Sequence, residues 1–184
     1  EGSGEPVNSK IVCIGDSYTY GFPGEKEDSW PKVMADILDI EVVNSGVVHQ
    51  NAFDMWERFD EDVISHESGK VVIFSGVGDA IRGTSLEEYQ KNLMDMVEMA
   101  EENNIEPVLA LPIPFPGTDT LYNQYRDWEI SYAVEKGLTT IDFKTVLFED
   151  GDTIVRKYAD NNNSKYPNKD GYRAMGQYAA QVLQ

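Results

Sequence analysis

Ser17 is the first residue in the chain whose surroundings suggest covalent chemistry. It follows a short apolar stretch, KIVCIGDSYTYG over residues 10–21, which predicts a buried strand ending in Gly15 and Asp16. In an open α/β sheet ligands bind beyond the carboxyl ends of the strands, so a serine at this point is placed to react. A serine hydroxyl is a weak nucleophile unless a base takes its proton. The remaining chain would therefore have to supply a base and hydrogen-bond donors for an oxyanion.

The elements that position this serine are predicted by apolar runs that alternate with segments of helical period. The predicted strands are Ile11–Ile14, Glu41–Val43, Val71–Phe74, Pro107–Leu111 and Thr139–Ile141. Such alternation predicts right-handed βαβ units, and therefore an α/β fold whose parallel sheet is covered by helices on both faces. Ligands are then expected near Ser17, Gly46 and Gly78, where three of the strands end.

Helix signals lie between the predicted strands. Ser85 and Glu88 form a capping-box pattern that predicts the start of a long helix. Residues 53–63 predict another helix, whose inner stripe consists of Phe53, Trp56, Phe59 and Val63. The polar segment 150–169 predicts a long surface loop before the last helix.

Composition limits the classes of partner. The chain has 184 residues and a net charge of −18, which disfavours nucleic acid and anionic membranes because both require basic surfaces. Its one cysteine, Cys13, lies in an apolar run and cannot form an internal disulfide. No apolar stretch approaches the roughly 18 residues of a membrane span.

The chain starts at Glu1 rather than at Met. We expect residues 1–8 to be a disordered or tag-like lead and residues 9–184 to form a single domain. An upstream targeting segment would fit this start, and it favours a secreted or cell-surface location over a cytoplasmic one.

Four segments in this order resemble the sequence blocks of the SGNH (GDSL) hydrolase family, in particular its short bacterial esterase branch. They are IVCIGDSYTYGFPG, VVNSGVV, FSGVGDA and YPNKDGYRAMG. The resemblance covers nearly the whole chain and implies a three-layer α/β/α fold with a five-stranded parallel sheet in flavodoxin-like order. It also implies that Ser17 is the nucleophile and that the backbone N–H of Gly46 faces the oxyanion.

Three positions depart from the family pattern. Gly78 stands where the family has an oxyanion-binding asparagine, Tyr166 where it has the histidine base, and Asn163 where it has the aspartate that orients that base. Loss of the base from such a triad costs on the order of 10⁶ in turnover, and loss of one oxyanion donor costs about 10²–10³. The resemblance therefore implies a degenerate catalytic set and weak or absent activity.

The chain has two histidines that could replace the missing base. His49 falls in a loop expected to border Ser17, where the second block usually has a glycine, whereas His66 is expected at the surface. Asp16 and Asp79 are expected to hold backbone turns beside the site. A metal site built from Asp16, His49 and Asp79 is conceivable but lacks a recognisable spacing, so we expect no metal and no other cofactor.

Two functions remain open from the sequence. One is an esterase, acylhydrolase or carbohydrate deacetylase that acts through Ser17 with His49 as a substitute base. The other is a pseudoenzyme, a non-catalytic binding domain that holds a small polar ligand or a glycan among Ser17, His49, Tyr166 and the loop 112–118. Deliberate replacement of the three positions to trap a complex is a further explanation. The oligomeric state is not fixed by the sequence.

Overall fold

A five-stranded parallel sheet forms the centre of the computed structural model, which describes residues 8–184. The strands are β1 (Ile11–Gly15), β2 (Val42–Gly46), β3 (Lys70–Phe74), β4 (Glu106–Ala110) and β5 (Thr140–Ile141). Their order is β2-β1-β3-β4-β5, so the predicted flavodoxin-like sheet is confirmed. All five predicted strands are present, with ends shifted by one or a few residues.

Helices cover both faces of this sheet. They are α1 (Ser17–Tyr20), α2 (Trp30–Leu38), α3 (Ala52–Glu57), α4 (Phe59–Asp62), α5 (Val77–Arg82), α6 (Leu86–Glu102), α7 (Asp119–Lys136), α8 (Lys144–Leu147) and α9 (Lys169–Leu183). Successive side chains of a strand point to opposite faces. Ile11 and Cys13 of β1 accordingly pack with α2 and α9, whereas Val12 and Ile14 pack with α3, α6 and α7.

The capping signal before α6 is confirmed, because the Ser85 hydroxyl accepts the Glu88 N–H at 3.2 Å. The prediction of one continuous helix over residues 53–63 is wrong. The chain instead forms α3, α4 and a 3-10 turn over Ile64–His66, with the break at Arg58. The break rotates the apolar stripe, so that Phe53 is 45% exposed and the buried face consists of Ala52, Met55, Phe59 and Val63.

The predicted loop is present over residues 150–168 and ends where α9 begins at Lys169. It contains a 3-10 turn over Arg156–Tyr158 and an isolated antiparallel bridge between Ala159 and Pro167. The predicted lead falls on residues 1–7, outside the described residues, and on Asn8. The Asn8 side-chain amide donates to the carbonyl oxygen of Glu67 at 2.6 Å. None of the helices in residues 8–184 has the length and apolar character to cross a membrane.

Candidate active site

Ser17 lies where β1 gives way to α1, at the carboxyl end of a central strand. Asp16 caps α1, its carboxylate accepting the Tyr18 N–H at 2.9 Å. Gly15 makes the close turn possible, because a Cβ at that position would lie 2.1 Å from Thr19 Oγ1. Ser17 is consequently held with only 3% of its surface exposed.

His49 contacts the Ser17 hydroxyl in two ways. Its backbone N–H donates to Ser17 Oγ at 2.8 Å, and its ring Nδ1 lies 3.4 Å from the same oxygen. The backbone of His49 has a φ of 65°, the left-handed region that a side chain rarely adopts and that favours glycine. A histidine at this glycine-like position therefore brings both a backbone donor and an imidazole to Ser17.

The backbone donor expected from Gly46 lies elsewhere. The Gly46 N–H donates to Asn44 Oδ1 at 2.9 Å, and Gly46 lines a neighbouring surface depression with Phe22, Val47 and others rather than the cavity at Ser17. The glycine at 46 has a packing reason of its own, because a Cβ there would lie 2.3 Å from the Tyr20 backbone nitrogen. In this structure the N–H directed at Ser17 belongs to His49, so the geometry does not support Gly46 as the oxyanion donor.

Gly78 lies in the first turn of α5, beside the loop that carries His49. A Cβ at this position would lie 2.3 Å from the carbonyl oxygen of Gln50. The loop backbone therefore fills the space that an asparagine side chain would need. The path of the Gln50 backbone therefore requires a residue without a side chain at position 78.

Asp79 fixes the end of the same loop. Both of its carboxylate oxygens lie 3.1 Å from the Ala52 backbone nitrogen, whose N–H they accept at the start of α3. This contact agrees with the backbone-holding role predicted for Asp79. Arg82, which the sequence analysis did not single out, donates from Nη2 to the His49 carbonyl oxygen at 2.7 Å and from Nη1 to Asp54 Oδ2 at 2.8 Å.

Tyr166 closes the opposite side of the site. Its ring stacks on Tyr18 with centroids 5.1 Å apart and meets Phe22 edge-on at 4.8 Å. The Asn163 carbonyl accepts the Tyr166 N–H at 3.1 Å, and Asp160 Oδ2 accepts the Asn163 N–H at 2.9 Å. Position 163 thus shapes the turn that delivers Tyr166, and Tyr166 itself packs as an aromatic wall.

Burial raises the pKa of two aspartates at the site, Asp16 and Asp79. Burial raises the pKa of Asp16 to about 7, and the negative charge of Asp79 adds to that rise. Burial likewise raises the pKa of Asp79 to about 6, against the stabilising hydrogen bond from Ala52. Burial also raises the pKa of the Tyr166 hydroxyl, so this group stays protonated and cannot act as a base.

Ser17 and His49 line a cavity of about 240 Å³. Its lining consists of Asp16, Ser17, Tyr18, His49, Gln50, Val77, Gly78, Ile81, Arg82 and Tyr166. Five of the residues singled out from the sequence therefore meet here, whereas Gly46, Asp79, Asn163 and the loop 112–118 contribute no lining residue. His66 is half-buried in a 3-10 turn away from the lining.

The other five lining residues, which the sequence did not single out, are Tyr18, Gln50, Val77, Ile81 and Arg82. Gln50 and Arg82 reach the site through loop and helix-end geometry that no spacing rule anticipates. The metal site considered for Asp16, His49 and Asp79 is not formed, since the described part of the chain holds no group of three such side chains placed to bind a metal ion.

Comparisons with known proteins agree with this architecture. A family model described as the GDSL-like lipase/acylhydrolase family matches residues 13–174. An arylesterase from Vibrio mimicus is 24% identical over 108 residues, which cover 56% of this chain and 54% of that protein. The chain spans about half the length of the curated relatives it matches.

Solved structures match over a larger share of the chain. A protein assigned to the lipolytic G-D-S-L family from Desulfitobacterium hafniense is 45% identical, with a TM-score of 0.93, over 96% of this chain and 100% of that one. An acetylxylan esterase from Geobacillus stearothermophilus shares the fold, with a TM-score of 0.79 at 20% identity over 96% and 95% of the two chains.

Proposed function

We propose that this chain, which belongs to the GDSL-like lipase/acylhydrolase family, is a slow serine esterase that uses Ser17 as nucleophile and His49 as base. The observation that carries the proposal is the double contact of His49 with the Ser17 hydroxyl, through Nδ1 at 3.4 Å and through the backbone N–H at 2.8 Å. No other imidazole lines the cavity.

The proposed reaction has two halves. Ser17 Oγ attacks the acyl carbonyl carbon while His49 Nδ1 takes the hydroxyl proton, and the His49 N–H shifts from Oγ to the adjacent oxyanion. The imidazolium then returns the proton to the departing alcohol, which leaves an acyl ester on Ser17. Water, deprotonated by His49, then attacks this ester. The bond from the acyl carbon to Ser17 Oγ breaks, the acid leaves, and the imidazolium returns its proton to Oγ, which restores the free serine and the neutral His49.

Three features make this reaction slow. The distance of 3.4 Å from Nδ1 to Ser17 Oγ exceeds the about 2.6–3.2 Å needed for proton transfer and must shorten when substrate binds. Within residues 8–184, no carboxylate hydrogen-bonds to the His49 ring to orient it. Gly78 brings no side-chain amide, and a missing oxyanion donor costs about 10²–10³ in rate.

The cavity suits a small ester with a short acyl group. Tyr18, Val77, Ile81 and Tyr166 give it apolar walls, and both ends of the Arg82 guanidinium are already bound to His49 and Asp54. A volume of about 240 Å³ holds an acetyl group and the first atoms of the alcohol. We propose acetyl esters as the first substrates to try, including an acetylated carbohydrate, because an acetylxylan esterase shares this fold. This chemistry requires no cofactor.

A fluorogenic acetyl ester tests the assignment. The unmodified protein should hydrolyse it slowly, and Ser17→Ala and His49→Ala should each remove the activity above background. His66→Ala is the matched control. It removes the second histidine of the chain, which lies outside the cavity, and should leave turnover unchanged. Turnover that survives Ser17→Ala would exclude Ser17 as the nucleophile.

A second candidate is a binding domain that uses the same cavity without chemistry. It is favoured by the burial of Tyr166 against Tyr18 and Phe22, on the side where the family's base would stand. Calorimetric titration with an acetylated xylo-oligosaccharide discriminates the two. Binding without detectable turnover, equal in the unmodified protein and in Ser17→Ala, supports this candidate; clear esterase activity that depends on Ser17 rejects it.

A further inference from the structure

Arg58 joins the two segments whose relative position sets the geometry at Ser17. Its Nε donates to Gln50 Oε1 at 2.7 Å, and its Nη2 donates to the Gly15 carbonyl oxygen at 3.0 Å. Gln50 is adjacent to His49, and Gly15 is two residues before Ser17. One guanidinium therefore links the strand end that carries the nucleophile to the loop that carries the imidazole.

The same side chain also holds the end of β2. Its Nη1 donates to the Ser45 carbonyl oxygen at 2.8 Å, to the Ser45 hydroxyl at 2.9 Å and to Asp62 Oδ2 at 2.8 Å. The Arg58 side chain is 14% exposed. A partly buried cation that makes this many directed contacts has little freedom to move.

The planar guanidinium is essential to this arrangement. Its five N–H groups point outward in a fixed fork, so it can bind acceptors on three sides at once. A lysine keeps the charge but presents one compact ammonium, which cannot reach Gln50, Gly15 and Ser45 together. The break between α3 and α4 at Arg58 places this fork beneath the site.

We propose that Arg58 is a positioning residue that sets the separation between Ser17 and His49. Arg58 does not line the cavity, so its effect passes through the Gly15 carbonyl and the Gln50 side chain. The consequence for turnover rests on the proposed esterase function. The consequence for geometry, namely the hydrogen bond from the His49 N–H to Ser17 Oγ, does not.

The experiment compares Arg58→Lys with Arg126→Lys. Arg126 is the control because its side chain is also 14% exposed and also binds one carboxylate, on Asp142. It binds one backbone carbonyl, on Pro112, where Arg58 binds two. The first readout is hydrogen exchange of the His49 amide by NMR, with Ser17→Ala showing the rate when its acceptor is removed. The second is the separate effect on kcat and KM for the fluorogenic acetyl ester.

We expect Arg58→Lys to raise the exchange rate of the His49 amide by about tenfold, towards the rate in Ser17→Ala, while Arg126→Lys leaves it unchanged. Because an ångström of misplacement can cost about 10²-fold, kcat should fall by roughly 10- to 100-fold in Arg58→Lys with KM nearly constant. If Arg58→Lys does not fold, Gln50→Met removes the acceptor of the Arg58 Nε and leaves the contacts of Arg58 with Gly15 and Ser45, and it should give the same selective change in exchange.

Unchanged exchange in Arg58→Lys and Gln50→Met overturns the proposal, as does an equal rise in Arg58→Lys and Arg126→Lys, which would indicate a general loss of stability. A selective rise in exchange, in a protein that shows no turnover at all, would uphold the positioning role and reject the esterase function.

Discussion

The carbonyl oxygen of Gln50 occupies the space in which a side chain at Gly78 would begin, with 2.3 Å between it and an ideal Cβ. This relationship ties the glycine at position 78 to the course of the loop that carries His49. A protein with an asparagine at 78 needs a different loop, and a loop of this shape requires glycine at 78.

Gly78→Asn is therefore expected to destabilise the fold and not to raise activity. Overpacking of this kind typically costs about 1–3 kcal/mol, and the obstruction here is backbone rather than a flexible side chain. For a chain of this length the melting temperature should fall by about 2–12 °C, as thermal unfolding will show. Gly137→Asn is the control, since position 137 has a left-handed φ that asparagine tolerates and no atom within 4 Å of a Cβ. An unchanged melting temperature in Gly78→Asn would contradict the collision.

His49→Gly should lower activity without lowering stability. Glycine adopts the φ of 65° without strain and keeps the backbone N–H on Ser17, so we expect a free energy of unfolding between unchanged and about 1 kcal/mol higher. The imidazole is lost, and removal of a general base lowers turnover by about 10²–10⁴. Chemical denaturation and the acetyl-ester assay measure the two effects.

Glu67→Gly separates backbone strain from catalysis, because Glu67 also has a left-handed φ, 52°, but lies outside the cavity. Glu67→Gly should have the same effect on the free energy of unfolding as His49→Gly, but it should not lower turnover. Equal activity of His49→Gly and the unmodified protein would show that the imidazole takes no part in the reaction.

Asn163→Asp combined with Tyr166→His should place a histidine and an aspartate beside the cavity and raise kcat, by about 10²-fold if the new imidazole reaches Ser17. Gly78 stays unchanged in this variant because of the contact with Gln50. The pH profile is a second measurement: activity should increase as pH rises through the ordinary histidine pKa of about 6.5. Tyr166→Phe keeps the packing on Tyr18 and Phe22 and should leave activity unaltered. A folded double variant without any gain would mean that position 166 no longer faces the nucleophile.

Much of the fold was predictable because its signals are local. Apolar runs predicted the five strands. The alternation of strands and helices predicted a parallel sheet with helices on both faces. The helix break at Arg58 was not predictable, since the apolar period through Phe53 and Phe59 is compatible with one continuous helix. At the break, Arg58 donates to Gly15, Ser45 and Gln50, which all lie outside α3 and α4, so no local pattern encodes these contacts.

The site was predictable only in part, for a similar reason. The sequence identified Ser17, His49, Gly78 and Tyr166 as neighbours, and all four line one cavity. The family resemblance of the second block implied that Gly46 supplies the backbone donor, but the Gly46 N–H donates to Asn44 Oδ1. The residue that donates to Ser17 is His49, and its left-handed φ is set by tertiary contacts rather than by its own type.

The last prediction concerns Glu129, a buried carboxyl group of α7 that faces the core behind the site. Tyr89 donates to its Oε1 at 2.5 Å, and its Oε2 has no hydrogen-bond partner within residues 8–184. Burial raises the pKa of Glu129 to about 8, an effect that the hydrogen bond from Tyr89 and the charge of Arg126 reduce and that Asp79 increases. At neutral pH the folded protein therefore holds a proton on Glu129 that the unfolded chain releases.

Because this pKa is raised in the folded state, the stabilising effect is fully present below about pH 4.5 and is lost as the pH rises towards 8. The unmodified protein should lose stability relative to Glu129→Gln across this window, by at most about 1.4 kcal/mol per pH unit. Urea unfolding at pH 5, 6.5 and 8 would measure the difference in free energy. Glu135→Gln, on the exposed side of the same helix, should show no such trend. A stability difference between the unmodified protein and Glu129→Gln that stays constant with pH would mean that Glu129 is ionised in the folded protein, with a cation or water satisfying its second oxygen.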